Sequence, residues 1–268
     1  MNAQTTLGAL RRSLAAIQAP AMPSTGRISF GEASLDDSLG GGLARGRLHE
    51  VFAREPADAS AAAGFALGLA MRAADGRRIV WIRQDIASVE AGDLHAPGLL
   101  AMGADPGAVI LVQSRDAMGV LRAAAEAVRC CALGAVVIEP WGAPKALDLT
   151  ATRRLALAVE KSGVTPFLLR AAAEPMPSAA LTRWSVASAP SVAFDAKAPG
   201  PASFDVTLLR HRAGTAGGTW RLEWDHEHHL FREPILREHT ALPRPLAPLP
   251  ADRPLPADAT VHRFRRAG

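Results

Sequence analysis

The stretch "AREPADAS" (residues 53–60) joins a strand-like apolar run to a long alanine-rich helical one. A nucleotide-binding chain places its phosphate loop at a junction of this kind. Such a loop reads G-x-x-x-x-G-K-[ST]. Its glycines let consecutive N–H groups curl around a phosphate, its lysine bridges two phosphates, and its hydroxyl holds magnesium. Between residues 47 and 60 this chain has neither glycine nor lysine. The approach to a phosphate site is present, and the parts that hold phosphate are missing.

Other residue types invite chemistry less. In "DHEHH" (Asp225–His229), His226 and His228 would share one face of a strand, a possible ligand pair. The segment lies between "WRLEW" and "LFREP", at a hairpin turn, and two histidines without a remote partner make a weak metal site. No metal is expected. Ser60, flanked by Ala59 and Ala61, reads as a helix-start residue and not as a nucleophile. Trp184, Trp220 and Trp224 fall in strand-like segments and read as core or cross-strand pairs before base-stacking platforms. Cys130 and Cys131 are adjacent in a helical stretch, so they read as two reduced, partly buried thiols, which suits a cytosolic protein.

The elements that must position these residues come from 268 residues, 49% of them apolar, enough for one large core. The net charge of +4 is unevenly placed. From Arg232 onward there are seven arginines and four acids, which leaves residues 1–231 with 23 basic and 22 acidic groups. A near-neutral body argues against a broad electropositive groove. DNA binding is therefore expected to be weak and carried by the tail, at Arg263, Arg265 and Arg266. No run is long and apolar enough to span a bilayer, and no signal peptide is recognised after Arg11 and Arg12.

Residues 4–18 read as an amphipathic helix with Leu7, Leu10, Leu14 and Ile17 on one face, ended by Pro20 and Pro23. From Arg47 strand-like runs (47–52, 78–82, 108–112, 135–139, 165–170) alternate with helical ones (57–74, roughly 92–102, 116–132, 148–162). That pattern predicts a mainly parallel sheet flanked by helices. After about residue 171 the segments "TRWSVASAP", "SFDVTLLRHR" and "GTWRLEWD" predict antiparallel strands without helix. Residues 243–256 carry six prolines and read as a PPII-like tail. The expected organisation is an N-terminal helical arm and linker (1–26), an α/β domain (27–232) and a Pro/Arg-rich tail (233–268).

The segment "ISFGEASLDDSLGGGLARGRLHEVF" resembles the entry to the RecA core. In that register Ala53 and Asp58 stand where the family has loop glycines, Ala59 stands where it has the lysine, and only Ser60 matches. "GAVVIEPWG" falls where the second acidic motif lies, which makes Glu139 its vestigial acid, and Asp85 falls near the catalytic acid. The long DNA-binding loop after the acidic strand is replaced by "EPWGAPKALD", so strand-exchange DNA binding is in doubt as well. With "PSAALTRWSVASAPS" and the closing "FDVTLLRHRAG…WRLEW", the order of segments resembles the ImuA family, RecA- and SulA-like proteins encoded beside ImuB and an error-prone polymerase in a bacterial DNA-damage cassette.

The resemblance implies a RecA-like core with a degenerate phosphate loop, no cofactor, and a non-catalytic role in translesion synthesis. Its candidate partners are an ImuB-type polymerase-like protein, RecA and an error-prone DNA polymerase. Rival readings are an ATPase with an atypical nucleotide site, a SulA-like cell-division inhibitor, and a DNA-binding module acting through the tail. The stripe Leu7, Leu10, Leu14 and Ile17 either covers this chain's own core or binds a partner. The Gly/Pro-rich linker after it favours the partner.

Overall fold

The structure, a computed structural model, describes residues 26–234 apart from 194–197, 213, 215 and 216. The stripe at Leu7, Leu10, Leu14 and Ile17 and the tail residues Arg263, Arg265 and Arg266 lie outside these residues. In chain order the elements are β1 (Arg27–Ile28), α1 (Ala33–Ser38), β2 (Leu43–Ala44), β3 (His49–Ala53), α2 (Ala59–Ala74), β4 (Arg78–Gln84), α3 (Asp85–Ala91) and α4 (Ala96–Ala101). They continue with β5 (Val109–Ser114), α5 (Ala117–Ala127), β6 (Leu133–Glu139), α6 (Leu149–Ser162), β7 (Thr165–Arg170), β8 (Thr182–Ser188), β9 (Ser203–His211), β10 (Thr219–Asp225) and β11 (Leu230–Arg232).

Nine strands form one sheet in the order β11-β10-β9-β8-β3-β7-β6-β4-β5. The six from β8 to β5 run parallel, and β9, β10 and β11 add antiparallel. This is the expected α/β core with antiparallel C-terminal strands. β3 and β6, the strands that carry the two candidate motifs, are buried along their whole length, and β7 lies between them. Both therefore read as continuous apolar runs with polar residues only where a partner exists.

One face of the sheet packs on α2, whose alanines allow close approach to β3, β6, β7 and β8. Gly68 in α2 faces the rings of Phe231 and Trp224, and a Cβ there would stand 2.7 Å and 2.9 Å from them. So α2 is also covered from outside by β10 and β11. α5 and α6 close the other face over Val80, Ile82, Val136, Ile138 and Leu168. His49 is fully buried in β3. Its Nε2–H donates to Ala44 O at 2.8 Å, and its Nδ1 accepts from the Thr182 hydroxyl at 2.7 Å. Burial, the largest influence, lowers its pKa to about 4.

Three local expectations are corrected. The helical stretch expected near 92–102 is helical only over Ala96–Ala101 (α4), and an unexpected helix, α3 (Asp85–Ala91), precedes it; Gly92 turns to φ +80° and ends α3, and Pro97 lies in the first turn of α4. The helix predicted to 132 ends at Ala127, and Cys130 and Cys131 follow it in a turn, both exposed. The buried Val128 closes the helix, and the chain then crosses to β6, where a Cβ on Gly134 would stand 2.3 Å from Ala74 Cα. The first strand is His49–Ala53, displaced from 47–52, since Gly46 and Arg47 still belong to the turn after β2.

Candidate functional site

Between β3 and α2 the chain makes a 3-10 turn, Pro56–Asp58. Pro56 has no N–H, so the turn lacks one of the donors that a phosphate loop presents. Asp58 stands immediately before α2 and makes no capping bond to it. Its Oδ1 instead accepts from the N–H of Ser188 at 2.9 Å and from the Ser188 hydroxyl at 3.0 Å. The backbone N–H of Arg54 donates to Val186 O at 2.8 Å. Two bonds from Asp58 and one from Arg54 thus fasten the turn to β8. Ala59 is buried, and Ser60 is an exposed residue of the first helical turn.

Glu139 ends β6 and is 3% exposed. In the register of the sheet it lies directly across from Arg83 of β4. Arg83 Nη2 donates to Glu139 Oε1 at 3.2 Å, Arg83 Nε lies 3.2 Å from Oε2, and Trp81 Nε1–H donates to Oε2 at 2.7 Å. Both carboxylate oxygens are therefore engaged by this chain. Burial pushes the Glu139 carboxyl upward, against the pull of Arg83 and the bond from Trp81.

A cleft of about 230 Å³ lies above this pair, lined among others by Ser60, Gly64, Leu67, Arg83, His95 and Glu139. Asp85 does not line it; it is exposed, in the first turn of α3. Among the described residues no three His, Cys, Asp or Glu side chains gather into a group that could hold a metal. The "DHEHH" segment builds the turn between β10 and β11. Asp225 accepts from the N–H groups of Glu227 and His228 and pairs with Arg232 at 3.0 Å, and His229 stacks on Trp224.

A different feature marks the far edge of the sheet. Among the described residues β5 pairs only with β4, so one side of its backbone is unpartnered within the sheet. Ile110 and Leu111 point to opposite faces of this edge and are 41% and 43% exposed. Val89 on α3, Leu100 on α4 and Met118 at the start of α5 are also exposed, and these helices contact β4, the turn before β5, and β5 respectively. No charged residue or proline interrupts Val109–Ser114, the usual protection of an edge.

No protein-family model matches the chain. Protein ImuA from each of two strains of Caulobacter vibrioides is 37% identical to it over 224 residues, covering 76% of this chain and 87% of that protein. The chain belongs to the ImuA family. Among solved structures, the RadB recombinase superposes with a TM-score of 0.51 over 78% of this ImuA-family chain and 100% of its own, at 15% identity. That likeness concerns the fold, a RecA-like core. No helix among the described residues is long and apolar enough to cross a membrane.

In this ImuA-family fold the residues singled out in the sequence separate into three places. Ser60 and Glu139 line the cleft, while Asp58 is turned to β8 and Asp85 to solvent. Trp81, Arg83 and Ser188, which decide what Glu139 and Asp58 do, were not singled out. "VWIRQ" did carry a signal for two of them: Trp81 and Arg83 alternate on one face of an otherwise apolar strand, and a buried arginine needs a carboxylate.

Proposed function

We propose that this protein is a non-catalytic adaptor in DNA-damage-induced translesion synthesis that binds an ImuB-type protein. The observation that carries this reading is the engagement of both nucleotide-site acids by the chain itself. In a RecA-like ATPase the loop donates N–H groups and a lysine to phosphates, and the acid at the end of the strand orients a magnesium-bound water. Here Asp58 is committed to Ser188 and Glu139 to Arg83 and Trp81, and there is no lysine. A magnesium nucleotide would meet a carboxylate at the helix N-terminus and an acid already neutralised by a guanidinium. This donor set does not fit it.

With catalysis set aside, protein surfaces remain. We assign the open edge of β5 to an extended segment of the ImuB-type protein, because unpaired N–H and C=O groups flanked by apolar side chains on both faces suit strand addition. RecA and an error-prone polymerase are further candidates at other surfaces. Any DNA affinity belongs to Arg263, Arg265 and Arg266, and truncation after Arg232 is expected to remove most of it in a salt-sensitive manner.

Co-purification tests the reading. A tagged chain should retain the ImuB-type protein without ATP or magnesium. Ile110→Lys with Leu111→Glu, both at exposed positions, should keep the melting temperature and lose the partner. Magnesium-dependent ATP turnover abolished by Glu139→Gln would replace the adaptor with an ATPase.

A further inference from the structure

On the sheet face opposite α2, a groove of about 480 Å³ runs between α6, the segment that crosses from β7 to β8, and the end of β9. Arg153, Leu157 and Glu160 of α6 form one wall, Pro177 and Ala179 form the other, and Arg210 and Arg212 close it. Neither the translesion reading nor the ImuB-type partner depends on it.

The groove's charges do not balance. Its one carboxylate, Glu160, pairs with Arg47 at 2.9 Å. Arg212 gives one N–H to Ala179 O at 3.2 Å and keeps the rest of its fork. Among the described residues, the side chains of Arg153 and Arg210 make no hydrogen bond or ion pair. Arg210 also sits directly across from Arg183, a like charge, and Arg183 takes the buried Glu50 at 2.8 Å. Like charges opposite one another in a sheet are unfavourable. Burial, then Arg183 and Arg212, lower the Arg210 pKa, while Glu50 alone counters them. Among the described residues, three guanidiniums therefore converge on one groove whose only acid is already paired.

The groove is also partly apolar. Leu157 is 63% exposed, and Leu149 at the start of the same helix also lines the groove, while Leu155 and Val159 face the core. Arg153 and Leu157 are four residues apart and so lie on one ridge of the helix. From Arg153 to Glu160 the helix rises about 10 Å, the length of about three extended residues.

We infer that this groove binds a short acidic segment of a partner protein, with carboxylates at Arg153, Arg210 and Arg212 and one aliphatic side chain against Leu157. Single-stranded nucleic acid fits less well. Among the described residues no aromatic side chain lines the groove for base stacking, and Glu160 stands at its end. A free small anion would leave Leu157 uncovered.

Fluorescence polarisation with a labelled Gly-Asp-Asp-Leu-Asp-Asp-Gly peptide tests this on the full chain. Binding should weaken with salt and fall about tenfold when the peptide's leucine becomes serine. Arg153→Glu with Arg210→Glu should abolish it, and Leu157→Ser should remove only the preference for leucine. Should the double reversal fail to fold, Arg153→Gln with Leu157→Ser changes only exposed positions and should reduce binding at least tenfold. Equal binding of the two peptides, no binding at millimolar concentration, or indifference to the arginine variants would overturn the proposal. Tighter binding of an oligothymidine that the same variants abolish would assign the groove to nucleic acid instead, and displacement by inorganic phosphate alone would reduce it to an anion site.

Discussion

Asp58 and Ser188 stand 130 residues apart in sequence, and one carboxylate oxygen of the first accepts both the N–H and the hydroxyl of the second. The contact ties the turn before α2 to the end of β8. Asp58→Ala should therefore cost about 1–2 kcal/mol of stability, the worth of two exposed hydrogen bonds to a carboxylate, read by urea denaturation. It should not create nucleotide binding. Nor should Ala59→Lys, since Ala59 is 6% exposed and the ammonium would be forced toward the core. Calorimetric titration of the wild type and both variants with magnesium ATP should show no saturable heat. Micromolar affinity in the wild type would end the adaptor reading.

The pair Arg83–Glu139 allows a sharper separation of roles. Removing one member of a buried ion pair leaves an uncompensated charge and costs about 3–5 kcal/mol, whereas replacing both by apolar groups costs far less. Glu139→Leu and Arg83→Met should each destabilise strongly, and the double variant should recover much of the loss. An acid whose purpose is to hold magnesium would behave otherwise: Glu139→Gln would leave stability nearly unchanged and affect only metal-dependent activity. Thermal melts of the four proteins in the cycle, with and without magnesium, distinguish the two.

His49 makes stability depend on pH in a predictable direction. Its folded pKa of about 4 lies below the ordinary 6.5, so above 6.5 both states are neutral and the residue contributes no slope. Between about 6.5 and about 4 only the unfolded chain takes up this proton, and stability falls by roughly 1.4 kcal/mol per pH unit, about 3 kcal/mol in all. His211, also held down by burial, adds to the slope in the same sense. Denaturation between pH 7.5 and 4 should show the decline. His49→Gln should be less stable at pH 7 yet flatter over the window; an unchanged slope would place the proton elsewhere.

The alternation of apolar strands with helices was readable because β3, β4, β6 and β7 are buried on both faces, α2 is a long alanine-rich run, and α5 and α6 are amphipathic at the helical period. The short helices α3 and α4 were not, because Gly92 and Pro97 break the period before it is established. The end of the helix before Cys130 is hidden for the opposite reason: no glycine or proline intervenes between Gly119 and Gly134. At the site, the positions of Asp58 and Glu139 could be read along the chain, but that Ser188 and Arg83 are their partners could not. Their pairing depends on which strands are neighbours and in what register, which is set by packing across the sheet. The open edge of β5 was hidden similarly. "VILV" at a sheet edge and "VVI" in its interior are the same residue types, and only the strand order tells them apart.

The last prediction concerns residues 4–18. The stripe Leu7, Leu10, Leu14 and Ile17 is followed by "APAMPSTG", which cannot continue a helix. A free helix of about 15 residues is marginal in water, so it requires a surface to dock on. Burying four aliphatic side chains is worth roughly 1.5–3 kcal/mol each before ordering costs, enough to carry much of a micromolar complex. Leu10→Glu with Leu14→Glu puts charge in the middle of the stripe. If the stripe serves a partner, the double variant should keep its melting temperature and lose co-purification with the ImuB-type protein, RecA or a second copy of itself. The β5 variants Ile110→Lys and Leu111→Glu then show whether the two surfaces act on the same partner: loss of the same protein from both sets joins them, and loss of different proteins separates them. A double variant that melts much lower while every interaction survives in the folded fraction would assign the stripe to this chain's own core, leaving the β5 edge as the adaptor surface.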